Sequence, residues 1–137
     1  MFNQFIMGIE KDYLMRQLMM LIEVIGKIIN FRKKGQPQEA QEEIRYFYSV
    51  LKLEHNLREL PAQDLYDYLV DKKKLDNNQV ELVAAVMKEQ GELAEMPGQQ
   101  KAYFMKAWFL LDRVDRVSAT FSMDRQMKLA ELRGYLE

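Results

Sequence analysis

The single histidine, His55, is the first residue to consider for catalysis, because an imidazole titrates close to neutral pH. In a nucleophilic triad it would act as the base for a nearby hydroxyl group. The candidate hydroxyls are those of Ser49, Ser118, Thr120 and Ser122. No spacing links them to His55, which follows Glu54 near the end of a predicted helix and is typical of a solvated terminal residue. We predict no catalytic residue and expect that the chain is not an enzyme.

Metal and thiol chemistry is restricted by composition. The chain has no cysteine, which excludes disulfides, thiol redox chemistry and thiolate zinc sites. Di-iron bundle sites need two glutamate-x-x-histidine pairs, which one histidine cannot supply. Glu39, Glu42 and Glu43 share one helical turn and leave a carboxylate metal site open, but acidic residues at a helix start also favour the helix dipole. We favour the dipole interpretation and predict no metal and no cofactor.

Basic side chains occur in two triplets, 32–34 and 72–74, both where we expect helices to end. Cations stabilise the negative end of a helix dipole, and we prefer this interpretation to a phosphate-binding patch. The net charge is −1 and the charges are interspersed, so we expect no nucleic-acid partner. As an alternative function, the second triplet could surround a cleft for a small ligand or nucleotide, together with Tyr46, Tyr48, Tyr66 and Tyr68.

Length and hydropathy favour one domain, spanning residues 1–137. The longest apolar run of the first helix, Leu18 to Ile22, is far short of the roughly 20 residues that cross a bilayer. The first residues also lack the basic region and the small-residue cleavage site of a signal peptide. We therefore expect no membrane partner and a cytoplasmic location.

Helical periodicity runs along almost the entire chain. Apolar residues recur every three or four positions, and no strand-like alternation competes with this pattern. The first helix carries two adjoining apolar stripes and is therefore predicted to be the buried central element. The pattern predicts an all-α, single-domain antiparallel array of five to six helices, with segments at 3–31, from Pro37, 61–70, from Asp76, 99–118 and 123–135.

Two segments resemble tetratricopeptide hairpins. The first is Gly35, Gln36, Pro37, Gln38, Glu39, Ala40, where a turn glycine precedes a packing alanine by five positions; the second is Phe104, Met105, Lys106, Ala107, Trp108. From its Asp12, Tyr13, Leu14, Met15, Arg16 segment to its last helix, the chain also resembles a family of uncharacterised bacterial proteins with tetratricopeptide-like helices. The resemblance implies a tetratricopeptide-like fold and no known activity.

The methionines and the amino-terminal apolar residues raise the question of a partner surface. Met15, Met19 and Met20 lie together on the first helix, where core filling is favoured over an adaptable contact surface. If this helix projects beyond its neighbours, the apolar residues at its start would drive self-association; these are Phe2, Phe5, Ile6 and Ile9. We predict a non-catalytic protein–protein interaction or scaffold domain, with a protein or peptide partner or a second copy as in a homodimer.

Overall fold

The computed structural model describes the backbone of residues 2–53 and 57–137, and the side chains of these residues except 2–7 and 9. Within these ranges the chain forms six α-helices and no strand, which confirms the all-α prediction. The helices are α1 (Phe2–Lys33), α2 (Pro37–Val50), α3 (Ala62–Asp67), α4 (Asn77–Leu93), α5 (Pro97–Val117) and α6 (Met123–Leu136). No helix in the described part of the chain carries an apolar stretch long enough to cross a membrane.

The α1–α2 hairpin is built as the sequence predicts. Gly35 adopts a φ of +71°, and the N–H groups of Gly35 and Gln36 donate to the carbonyls of Arg32 and Phe31, which is a Schellman closure of α1. Pro37 occupies the first turn of α2, where a missing N–H costs nothing. The chain therefore reverses direction within three residues, and α2 packs antiparallel to α1.

The connection between the hairpins is less regular. A 3₁₀ turn at Leu57–Glu59 precedes α3, and α3 continues directly into a π-helical turn, Tyr68–Lys72. The predicted third helix is thus split between two helix types. A capping box then starts α4, because the Gln79 N–H donates to Asp76 and the Asp76 N–H donates to the Gln79 side chain, each at 2.9 Å.

The core is one cluster of buried apolar side chains. All six helices contribute to it, but α1 contributes only from its second half. Helix α4 is buried along most of its length and packs against both α1 and α5, while α6 packs on α5. Contacts between side chains fix the directions: α4 and α5 are antiparallel, whereas α4 runs parallel to α1 and to α6.

The prediction that α1 is the buried central element is wrong. Its described side chains from Glu10 to Arg16 are all exposed, and its buried residues are Leu21, Val24, Ile25 and Ile28. The reason is length: α1 has 32 residues and extends about 48 Å, whereas α2 has 14 residues and extends about 21 Å. Helix α2 therefore covers only the second half of α1, and the first half extends beyond α2.

Candidate functional site

The hydroxyls considered for catalysis serve the backbone instead. Ser49 donates to the carbonyl of Tyr46 at 2.7 Å, and Ser122 caps α6 by accepting the N–H of Arg125 at 3.1 Å. The Ser118 hydroxyl lies 3.2 Å from the Thr120 carbonyl and also accepts the Thr120 N–H. His55 lies outside the described residues. The described hydroxyls therefore have structural partners of the kind that turns and caps require.

The acidic residues of α2 do not form a metal site with other described residues. Glu39 lies in the first turn of α2, as the dipole interpretation predicts. Across residues 2–53 and 57–137, no three acidic or histidine side chains are grouped so that they could hold a metal ion. Glu39 and Glu42 are exposed, and Glu43 is half-buried.

The first basic triplet lies at the end of α1, as predicted, but Arg32 has a specific partner. Its Nε lies 2.6 Å from a carboxylate oxygen of Glu89, which is only 3% exposed on α4. Burial lowers the pKa of Arg32, but the hydrogen bond and charge of Glu89 together raise it above its usual value. This pair joins the two hairpins, and nothing in the local sequence of either residue indicates it.

A second buried cation was also missed by sequence reasoning. Arg125, 4% exposed, donates to Asp115 at 2.9 Å, to Glu81 at 2.7 Å and to the Thr120 carbonyl at 2.8 Å. The hydrogen bonds from Arg125 and Gln126 hold the pKa of Asp115 below its usual range. Arg125 on α6 thus joins Glu81 on α4 to Asp115 on α5, and these ion pairs hold the three helices together.

Two tyrosines of the alternative hypothesis, Tyr48 and Tyr68, have different partners in the structure. The Tyr48 hydroxyl donates to Gln90 at 2.5 Å, and burial raises the pKa of this tyrosine. The ammonium groups of Lys72 and Lys73 lie 5.9 and 5.8 Å from the Tyr68 ring. None of these tyrosines or lysines lines any of four well-formed surface pockets in the described part of the chain.

An exposed apolar surface lies on α1. We call it the α1 patch and define it as Met15, Leu18, Met19 and Ile22. Met15, Met19 and Ile22 are 51%, 61% and 52% exposed, and Leu18 is half-buried. The preference for Met15 and Met19 as core residues is therefore wrong, whereas Met20 does pack against the core. The side chains of Phe2, Phe5, Ile6 and Ile9 lie outside the described residues.

A groove that includes three of the four α1 patch residues runs between α1 and α4, with Asp124 and Lys128 of α6 at one end. Two adjoining cavities of about 220 and 360 Å³ share Leu18 and Asn78 and form what we call the α1–α4 groove. Its apolar walls are Leu14, Met15, Leu18, Ile22, Ile25, Leu82 and Ala85. From Lys11 to Ile25 the groove follows α1 for about 21 Å, roughly four helical turns. Its shape and lining suit an amphipathic helix laid along it.

A separate cavity lies between α3, α5 and α6, and we call it the α5–α6 pocket. It measures about 350 Å³ and is lined by Ala62, Met105, Trp108, Phe109, Arg133 and Leu136. Its lining is apolar and aromatic apart from the exposed guanidinium of Arg133. The volume is within the range of small-molecule sites.

Comparisons with models of protein families, with curated proteins and with solved structures find no match to this chain. The α1 patch, the α1–α4 groove and the α5–α6 pocket are the surfaces of the described structure that could bind another molecule.

Proposed function

We propose that the chain is a non-catalytic helical protein that acts through protein contacts made by the α1 patch. One observation carries the proposal: three large apolar side chains, Met15, Met19 and Ile22, are each more than half exposed on one helix, α1. Contiguous exposed apolar surface marks interaction sites in soluble proteins. Methionine suits such a surface because its flexible thioether adapts to a partner.

We also propose that the helices are arranged as in tetratricopeptide-like proteins, as the family resemblance implies. Such an arrangement would fit a role in protein contacts. The turn at Gly35 closes α1 as such hairpins require, and the predicted packing residues Ala40 and Ala107 are both fully buried. The parallel course of α1, α4 and α6 with antiparallel helices between them is also typical of stacked hairpins. Arrays of this kind present surfaces for protein or peptide partners. The single-domain organisation and the cytoplasmic location stay predictions.

The test compares the wild-type chain with a patch variant, Met19→Glu/Ile22→Glu, and with a control, Met96→Glu. Met96 is as exposed as Met19 but lies at the start of α5. In a lysate of the source organism, we expect the wild type and the control to elute in a complex larger than the monomer. The patch variant should elute as the monomer. A monomeric wild type, or a complex that survives the patch substitutions, would contradict the proposal.

A small-ligand function is the second candidate, and the α5–α6 pocket favours it. An apolar cavity with one guanidinium at its edge suits a small hydrophobic carboxylate, because Arg133 has no ion-pair partner among the described residues. The chain contains one tryptophan, Trp108, and it lines this pocket. Its fluorescence therefore reports the pocket directly.

The assay titrates decanoate into the chain and records Trp108 emission. A saturable change that Arg133→Gln removes and that Arg116→Gln, on an exposed part of α5, leaves intact would establish the ligand site. Emission that stays constant up to millimolar decanoate would rule this ligand class out for the pocket.

A further inference from the structure

We propose that a second surface, on α6, binds a second copy of this chain, with the two α6 helices packed antiparallel about a two-fold axis. We call this surface the α6 stripe and define it as Met123, Met127, Ala130 and Gly134. The inference goes beyond the proposed function, because the α1 patch takes no part in the contact.

The α6 stripe is continuous and faces away from the bundle. Its members follow one another at four, three and four residues, and each residue turns by about 100° around a helix, so all four lie within about 60° of arc. The buried residues of α6 lie on the opposite side of this helix; they are Arg125, Leu129 and Leu132. Met123 and Met127 are 63% and 66% exposed, and a Cβ atom at Gly134 would meet no atom within 4 Å. The stripe is therefore open to solvent in the single chain.

An apolar outer face is unusual at the edge of a stacked helical array. The helix at such an edge normally has a polar outer face, which keeps the array soluble. Helix α6 packs on α5 and forms ion pairs with α4, and its other side carries the stripe. Phe121, 73% exposed just before α6, extends the apolar surface. This face therefore has the character of a contact surface.

The order of residue sizes along the stripe selects a second copy and its orientation. The stripe has two large side chains followed by two small ones. When two copies pair antiparallel about the middle of the stripe, Met123 lies at the level of Gly134 of the second copy, and Met127 at the level of Ala130 of the second copy. Each large side chain then fills the space beside a small one, and the two-fold axis repeats both contacts. A parallel pair would instead crowd the methionines at one end and leave gaps at the other.

The acidic side chains beside the stripe do not oppose this pairing. Asp124 and Glu131 lie on one flank of the stripe. Asp124 is paired with Lys128 at 3.0 Å, and Glu131 is paired with Lys88 at 3.1 Å. The negative charges are thus compensated within each chain, and the contact depends on the fit of the apolar side chains.

The size of the contact predicts a transient dimer. Helix α6 has 14 residues, so it is about 21 Å long and about 10 Å wide, and the paired faces cover roughly 200 Å² in projection. A standard stable interface buries about 800 Å² on each partner, so we expect a dissociation constant of about 100 μM. At the low-micromolar concentrations of an elution from lysate the chain should not form this dimer, and the test of the α1 patch is unaffected.

Exchange of large and small side chains tests the register. Met127→Ala removes two side chains that fill the contact, and Ala130→Met adds two where no space is left, so each should weaken dimerisation about tenfold. The double variant Met127→Ala/Ala130→Met exchanges the two sizes and should restore the dissociation constant to within about threefold of the wild type. Both positions are exposed, and alanine and methionine both favour helix, so the fold of the single chain is kept.

Sedimentation equilibrium of the purified chain up to about 1 mM gives these constants, since that range brackets the expected dissociation constant. Met96→Ala is the matched control, because Met96 is about as exposed as Met127 but lies at the start of α5; it should leave the constant unchanged. A double variant at least as weak as the weaker single variant would overturn the antiparallel register.

Crosslinking tests the orientation independently, since the chain has no cysteine of its own. With a short bis-maleimide, a mixture of Met123→Cys and Gly134→Cys chains should give mixed dimers. Either variant alone should crosslink far more slowly, because the antiparallel pair separates its two copies of that residue by about 16 Å along α6. Met96→Cys is the control for random collisions. Crosslinks of each variant with itself, without mixed dimers, would overturn the antiparallel arrangement.

Failure of this dimer can be distinguished from failure of the proposed function. A purified wild-type chain that stays monomeric at about 1 mM, ten times the expected dissociation constant, overturns the dimer. The complex in lysate that depends on the α1 patch is measured separately, and its loss overturns only the proposed function. If Met127→Ala disrupts a complex in lysate while the purified chain is monomeric, the α6 stripe binds a different protein and the second copy is the wrong partner.

Discussion

Gly91→Ala tests a close approach between α4 and α5. A Cβ atom at Gly91 would lie 2.6 Å from Cε1 and 2.8 Å from Cδ1 of the Phe104 ring, where 3.4 Å or more is ordinary contact. The ring has little room to retreat, because it stacks on Tyr135 with centroids 4.5 Å apart. The Tyr135 hydroxyl is held in turn by Glu92 at 2.6 Å, a hydrogen bond that raises the pKa of Tyr135 to about 12.

The expected magnitude follows from two opposing effects. Alanine in place of glycine inside a helix contributes about 1 kcal/mol of stability, whereas overpacking a core costs about 1–3 kcal/mol. We expect Gly91→Ala to lose about 1 kcal/mol net. Gly26→Ala is the matched control, because Gly26 is also inside a helix but has no atom within 4 Å of a new Cβ. It should gain about 1 kcal/mol, so that the two variants differ by about 2 kcal/mol.

The assay is urea unfolding in an Ile22→Glu background, so that association through α1 does not contribute. Phe104→Leu removes the ring atoms that clash, and we expect Gly91→Ala/Phe104→Leu to lose less stability than the two single variants together. Equal gains from Gly91→Ala and Gly26→Ala would refute the close packing of α4 on α5.

Three further predictions concern hydrogen-bonded polar groups. Arg32→Met leaves the carboxylate of Glu89 buried without its partner, so urea unfolding at pH 7 should show a loss of about 3 kcal/mol; a loss below about 1 kcal/mol would contradict this. The hydrogen bond from Arg125 depresses the pKa of Asp115 in the folded chain. Its ionised carboxylate therefore stabilises the fold fully at pH values above the pKa of about 3.9 that an aspartate has in the unfolded chain. This stabilisation is lost as the pH falls through the folded pKa. Asp115→Asn should therefore lower the melting temperature more at pH 7 than at pH 3, and equal shifts at both would oppose the assignment. Tyr48→Phe removes a buried hydrogen bond and should cost about 1 kcal/mol in the same unfolding assay, whereas unchanged stability would show that the bond contributes nothing.

The fold could be predicted where local pattern determines local structure. Ala40, Ile44 and Phe47 recur at helical spacing, and they are the buried residues of α2. Likewise, the capping box at Asp76 and the glycine turn at Gly35 depend only on neighbouring residues. Such features need no information from distant parts of the chain.

The exposed surface of α1 could not be predicted in the same way. Periodicity identifies which apolar side chains share a helix face, but their burial depends on whether another helix packs on that face. Helix α2 contacts Met20, while its neighbours Met19 and Ile22 stay exposed. The signal that indicates a partner surface is the seven-residue spacing of Met15, Ile22 and Ile29. The ion pair of Arg32 and Glu89 joins residues 57 positions apart, a distance at which sequence spacing carries no information.

Oxidative footprinting of methionines tests most directly whether protein covers the α1 patch. Met19 and Met96 are 61% and 62% exposed in the single chain, so an oxidant should modify both at similar rates if nothing covers either. We predict that in native lysate Met19 is oxidised several-fold more slowly than Met96, and that the Ile22→Glu variant removes this difference. Equal oxidation of Met19 and Met96 in the wild-type chain would contradict the account, because it would show that the α1 patch faces solvent.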